Sequence, residues 1–136
     1  MIDSGAAIRN YLLDNAALAA LVGTRIYAER VTPPPGYTPS AGGCVVFRNR
    51  GGQVLAQGSV IAPSVQFKCY AGPSTDTPAE VNANAVYRAL YDAIERDGGG
   101  NGVKSCTVEV LGQTLAEPDT GWVFVLTFAS FWLDAD

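Results

Sequence analysis

The chain has 136 residues, 48% of them hydrophobic and 16% charged, with a formal net charge of −4. This is one domain's length, too apolar for intrinsic disorder, and it has no run of about 18 apolar residues to span a membrane. The acidic balance argues against a broad grip on phosphate backbones, and the absence of histidine excludes Ser-His-Asp and Cys-His nucleophile activation within one chain.

The amino terminus reads as helix. Asp3 or Ser4 can cap it, and Ile8, Tyr11, Leu12, Leu18, Leu21 and Val22 recur at helical spacing. Asp14-Asn15 offers a second cap, which predicts two short helices, and Gly23 ends the second. Residues 25–30 alternate like a short strand. The stretch Thr32-Pro33-Pro34-Pro35-Gly36-Tyr37-Thr38-Pro39 can be neither helix nor interior strand, because proline lacks the ladder donor. We expect an arm over residues 32–43, either a surface crossover or a rigid element that docks on a neighbouring subunit.

Residues 44–50 and 60–70 read as two strands joined by a pliable hairpin loop over 51–59. Val65, Phe67 and Cys69 point to one face and Gln66, Lys68 and Tyr70 to the other. Thr77-Pro78-Ala79-Glu80 has the spacing of a capping box with proline in the first turn. The helix it opens should run to about Arg96 and stop at Gly98-Gly99-Gly100. Its buried stripe is Ala79, Ala83, Val86, Leu90, Ala93 and Ile94, with Arg88, Asp92 and Arg96 as an exposed i,i+4 ladder. Strands at 103–111 and 122–133 follow, separated by a turn at 117–121. In the last strand Trp122, Phe124, Leu126, Phe128 and Trp132 face one way, and Val123, Val125, Ala129, Phe131 and Leu133 the other.

These elements predict a single α+β domain over 1–136. It has a mainly antiparallel sheet of four to five strands, one long helix on one face and a short N-terminal helical pair. Apolar residues on both faces of the last strand require cover on both, and the helices suffice for one. A neighbouring subunit is the economical source of the second layer; a curled sheet, or the long loops folding over, is the alternative.

No residue is assigned a catalytic, cofactor-binding or metal-ligating role, and the reading is of a protein that is not an enzyme. Cys44, Cys69 and Cys106 lie outside any C-x-x-C pair and read as small buried hydrophobes. An odd count without a recognisable signal peptide fits a reducing compartment. The glycine run at 98–102 follows a helix instead of opening one and lacks the Lys-Ser/Thr ending of a phosphate loop. Asp92, Glu95 and Asp97, or Glu117 and Asp119, could offer oxygen ligands, but without calcium-loop spacing they read as solvated surface. The residues that suit a protein interface are Arg48, Asn49 and Arg50, with Gln53, Val54 and Leu55 in the adjoining loop and Pro33, Pro34, Pro35 and Tyr37 in the arm.

The order of elements resembles the tail completion or tail terminator proteins of long-tailed bacteriophages. The resemblance is carried by residues 6–13, by 16–23 with Arg25-Ile26-Tyr27, and by Val65-Gln66-Phe67-Lys68-Cys69-Tyr70-Ala71 leading into Ala79-Glu80 and residues 84–90. Glu117-Pro118-Asp119 with Gly121-Trp122 completes it. It spans nearly the whole chain but rests on apolar patterns, and the segment 33–39 is richer in proline than the family leads one to expect. The resemblance implies a virion protein that forms a ring, six-membered in this family. Such a ring caps the head-proximal end of the tail tube, stops its polymerisation and meets the head–tail connector or stopper. Its expected partners are further copies of itself, the tail tube protein and the connector, with no cofactor, no membrane and no specific nucleic-acid binding. Six copies at −4 each would carry −24, so DNA in the channel would be repelled. A different neck component, or a small α+β binding module using the 51–59 loop, are the alternatives.

Overall fold

Asp3 and Asn15 each open a helix by the same device, a short side chain accepting from a backbone N–H that has no partner inside the helix. Asp3 takes the N–H of Ala6 at 3.1 Å and Asn15 that of Leu18 at 2.9 Å. The first helix, α1 (Ser4–Leu13), therefore stops and α2 (Ala16–Val22) begins where the Asp14-Asn15 pair falls, and Gly23 closes α2. The computed structural model describes residues 3–55, 58–96 and 100–134. Ala56 and Gln57 of the expected 51–59 loop, Gly98 and Gly99 of the glycine run, and Asp97 of the acidic group lie outside the described residues.

Among the described residues, β1 (Ile26–Ala28), β2 (Cys44–Leu55), β3 (Val60–Tyr70), β4 (Val103–Ala116) and β5 (Val123–Asp134) form one sheet in the order β1-β2-β3-β5-β4. Only β1 and β2 pair in parallel; the other neighbours are antiparallel. The third helix, α3 (Ala79–Arg96), links β3 to β4, and the fold is mixed α+β.

Two strands outrun their expected limits. β2 continues through Gly51 and Gly52 to Leu55, pairing Gly52 with Pro63 and Leu55 with Val60. Pairing thus takes residues 52–55 out of the segment expected to be a loop over 51–59. The register shifts between Asn49 and Gly52, and this bulge breaks the alternation that would have marked a strand. Gly52 sits there at φ +138°, where a Cβ would stand 2.2 Å from the Ala62 carbonyl oxygen, so the close approach needs glycine. β4 runs on to Ala116 through three register shifts. It is an edge strand with mostly exposed residues, so its second half carries little apolar pattern to read.

The larger core lies between the helices and one sheet face. Ile8, Tyr11, Leu12, Leu18 and Val22 from α1 and α2, and Ala83, Val86, Leu90, Ala93 and Ile94 from α3, share it with Val45, Phe47, Val65, Phe67, Cys69, Val125, Ala129, Phe131 and Leu133. Phe67 stands at its centre, 5.4 Å from the Phe47 ring and 6.0 Å from that of Phe131. Cys106 is half-buried instead of fully buried, with its Sγ 3.0 Å from the Ile94 carbonyl.

The opposite, outer face follows, in part, the alternative of a long loop folding over it. Part of its cover comes from the chain itself. Tyr37 of the arm packs with Cys44, Val46, Tyr70 and Phe124 in a second buried cluster, bordered by Tyr27, Leu115, Trp122 and Leu126.

Candidate assembly surface

The outer face is built in rows set by strand register. Cys44, Tyr70, Phe124 and Leu115 form one row, Val46, Lys68, Leu126 and Gln113 the next, and Arg48, Gln66, Phe128 and Val110 the third. At the first row the arm folds over the sheet. Gly36 and the prolines turn the backbone so that Tyr37, 8% exposed, stands edge-on to Trp122 at 5.8 Å. Its hydroxyl donates to the Gly42 carbonyl at 2.7 Å. Burial raises the Tyr37 phenol above its ordinary value and pushes the Cys44 thiol up to about 12. Burial likewise raises Cys69, so Cys44 and Cys69 stay protonated at neutral pH and have no thiolate character.

The aromatic rings of the first and third rows are covered by cations. Lys68 Nζ is 4.6 Å from the centre of the Phe124 ring and the Arg50 guanidinium 5.1 Å from that of Phe128. In both, the charged group itself lies over the face of the ring, whose quadrupole attracts it. Lys68 Nζ also donates to Glu117 Oε1 at 3.1 Å, and the Tyr70 hydroxyl donates to the same oxygen through a short hydrogen bond. Burial and the Glu117 carboxylate raise the Tyr70 phenol. For Glu117, burial acts to raise the carboxyl, but the hydrogen bonds from Tyr70 and Lys68 and the Lys68 charge outweigh it and hold the group below its ordinary value of 4.5. Glu117 is thus committed to an internal network. Farther along, Trp132 remains 48% exposed.

The ten expected interface residues divide between two places. Arg48, Asn49, Arg50, Gln53 and Val54 are exposed along β2, and Leu55 is half-buried. In the arm Pro35 is exposed, Pro33 and Pro34 are half-buried, and Tyr37 is buried against its own chain. Tyr37 therefore serves as an internal anchor, packed with Cys44, Val46, Tyr70 and Phe124 of its own sheet. Arg50 likewise spends its charge over Phe128. Sequence reasoning missed Lys68, Tyr70 and Glu117. Lys68 and Tyr70 were visible on the outward face of β3, but their meeting with Glu117 depends on the β3-β5-β4 register across 47 to 49 positions.

Chemically the surface can bind and pack. Among the described residues no group of three or more Cys, Asp or Glu is arranged to hold a metal ion, and no helix is long and apolar enough to cross a membrane.

No family model matches the chain, and no curated protein matches it by sequence. Among solved structures it is similar to a chain of the virion of a native gene transfer agent particle. The two share 19% sequence identity and superpose with a TM-score of 0.63, over 96% of this chain and 94% of the other. The likeness is one of fold, and it extends over both chains almost from end to end.

Proposed function

We propose that the protein is a structural component of a phage-like virion, and specifically a ring-forming tail terminator at the head-proximal end of the tail tube. The observation that carries this reading is the fold likeness to a virion chain over nearly the full length of both molecules, which leaves little of either chain outside the shared architecture. The resemblance of residues 6–27, 65–90 and 117–122 to tail terminators supports the finer assignment.

The physical chemistry is consistent with assembly in place of turnover. The surface offers exposed apolar side chains and arginines on a rigid sheet, while Cys44 and Cys69 are protonated and Glu117 is internally paired. In this role the chain binds further copies of itself, six by the resemblance, together with the tail tube protein and the connector, and its place is the virion. Deleting the gene from a particle-producing strain tests the reading by electron microscopy of the lysate. Headless tails with tubes of irregular length are expected. Normal joined particles would overturn it.

A further inference from the structure

Of the six asparagines in the chain, Asn101 alone is followed by glycine. That pairing has a chemistry of its own. Gly102 has no side chain to shield its backbone nitrogen, so the nitrogen can attack the Asn101 Cγ once the backbone brings the two together. Asn101 is exposed, and water reaches it.

The fold holds the reacting atoms apart. Gly100 and Val103 exchange both backbone hydrogen bonds, at 3.0 and 2.9 Å, and the two residues between them have φ of +54° and +87°. These are the marks of a type I′ turn, in which ψ of the first central residue is about +30°. Ring closure needs the Gly102 nitrogen on the same side of the Cα–C bond as the Asn101 Cβ, and at that ψ it lies nearly opposite. Two further contacts fix the turn. Asn101 Nδ2 donates to Asp14 Oδ2 at 2.7 Å, which ties the turn to the junction of α1 and α2. The Gly102 carbonyl accepts from the Asp134 N–H at 2.9 Å.

We propose that Asn101 is a one-way modification site, held unreacted by the closed turn and by Asp14, and deamidated when the turn opens. The Gly102 nitrogen bonds to the Asn101 Cγ and gives up its proton, and the side-chain amide nitrogen leaves with that proton as ammonia. A cyclic imide remains. Water adds to one of its two carbonyls and breaks that carbon's bond to the ring nitrogen. Attack at the side-chain carbonyl gives aspartate; attack at the main-chain carbonyl gives isoaspartate. Either product sets a second carboxylate against Asp14 where an amide had donated, so the donor is lost and like charges meet. Isoaspartate also adds a carbon to the main chain inside the turn, which breaks the Gly100–Val103 pairing. The turn cannot close again, and the start of β4 parts from the α1–α2 junction.

Ageing the purified protein at neutral pH, then digesting it with trypsin for mass spectrometry, tests this. Asn101 is the one amide side chain in the fragment 97–104, so a gain of the amide-to-acid mass difference there reports this site. Conversion should be slowest in the folded chain and fastest in urea. Asp14→Ala, its folding checked by circular dichroism, should convert roughly two to ten times faster than the unaltered chain, the effect of losing one exposed hydrogen bond. Asn101 that stays intact in both folded samples would overturn the site. Equal rates in the folded chain and in urea would overturn protection by the turn, and equal rates with and without Asp14 would overturn its restraint. A second measurement does not depend on Asp14→Ala folding. Hydrogen exchange of the Val103 N–H should quicken in Asn101→Asp, the product's equivalent. It should slow again when Asp14→Asn is added, because an amide then faces a carboxylate once more. Exchange in the double variant as fast as in Asn101→Asp would overturn the one-way opening through Asp14.

Discussion

The two faces of the sheet are sealed by different means. On the inner face three helices lay aliphatic and aromatic side chains over Phe47, Phe67 and Phe131, and burial is nearly complete. On the outer face a proline-rich arm contributes one tyrosine, and two cations lie across Phe124 and Phe128. The first arrangement gains free energy by removing apolar area from water. The second covers rings with charged groups, each contact worth much less. The inner face therefore holds the fold together, while the outer face is sealed only in part and leaves Trp132 48% exposed.

Substitutions can sharpen this contrast. The largest effect is expected from Phe67→Ala, which empties the centre of the inner core and should cost about 3–5 kcal/mol in urea unfolding. Tyr37→Ala should cost less, about 2 kcal/mol, because the ring is lost from a peripheral cluster. It should also alter Trp122 fluorescence, best read in a Trp132→Phe background. Equal losses at the two positions would break the distinction between the faces.

The acid response probes the outer network. Because Glu117 is held below 4.5 in the folded chain, its contribution to stability is complete above the unfolded value and fades as pH falls through the folded one. The stability gap between the unaltered chain and Glu117→Gln should thus be widest above about pH 5 and narrow below it. A gap that is constant from neutral to acid pH in denaturation curves would remove Glu117 as the responsible group. The smallest effect belongs to Arg50→Ala, about 0.5–1 kcal/mol for an exposed cation over a ring.

Much of the inner architecture could be read from residue order. The caps at Asp3 and Asn15, the span of β3 and the alternation of β5 are local signals, set by neighbours within a few positions. The outer face was less legible. The strand through Gly51 and Gly52 was hidden by a bulge, and the second half of β4 by its exposure, since an edge strand has little apolar pattern. The sequence showed that the second face needed cover, but not that Tyr37, Lys68 and Arg50 provide part of it. Those contacts depend on how the 32–43 arm returns and on register between distant strands. On β2 the structure shows Arg48, Asn49 and Arg50 to be exposed, whereas Tyr37 went to an internal use that only the fold reveals.

The claim on which the functional account rests is that copies of this chain close head-to-tail into a ring. Light scattering on purified protein across a hundredfold concentration range, with negative-stain electron microscopy of the same fractions, measures it directly. The account predicts one species near six times the monomer mass, seen as an annulus with a central hole. A single monomeric species at every concentration, with no annuli in the images, would contradict it.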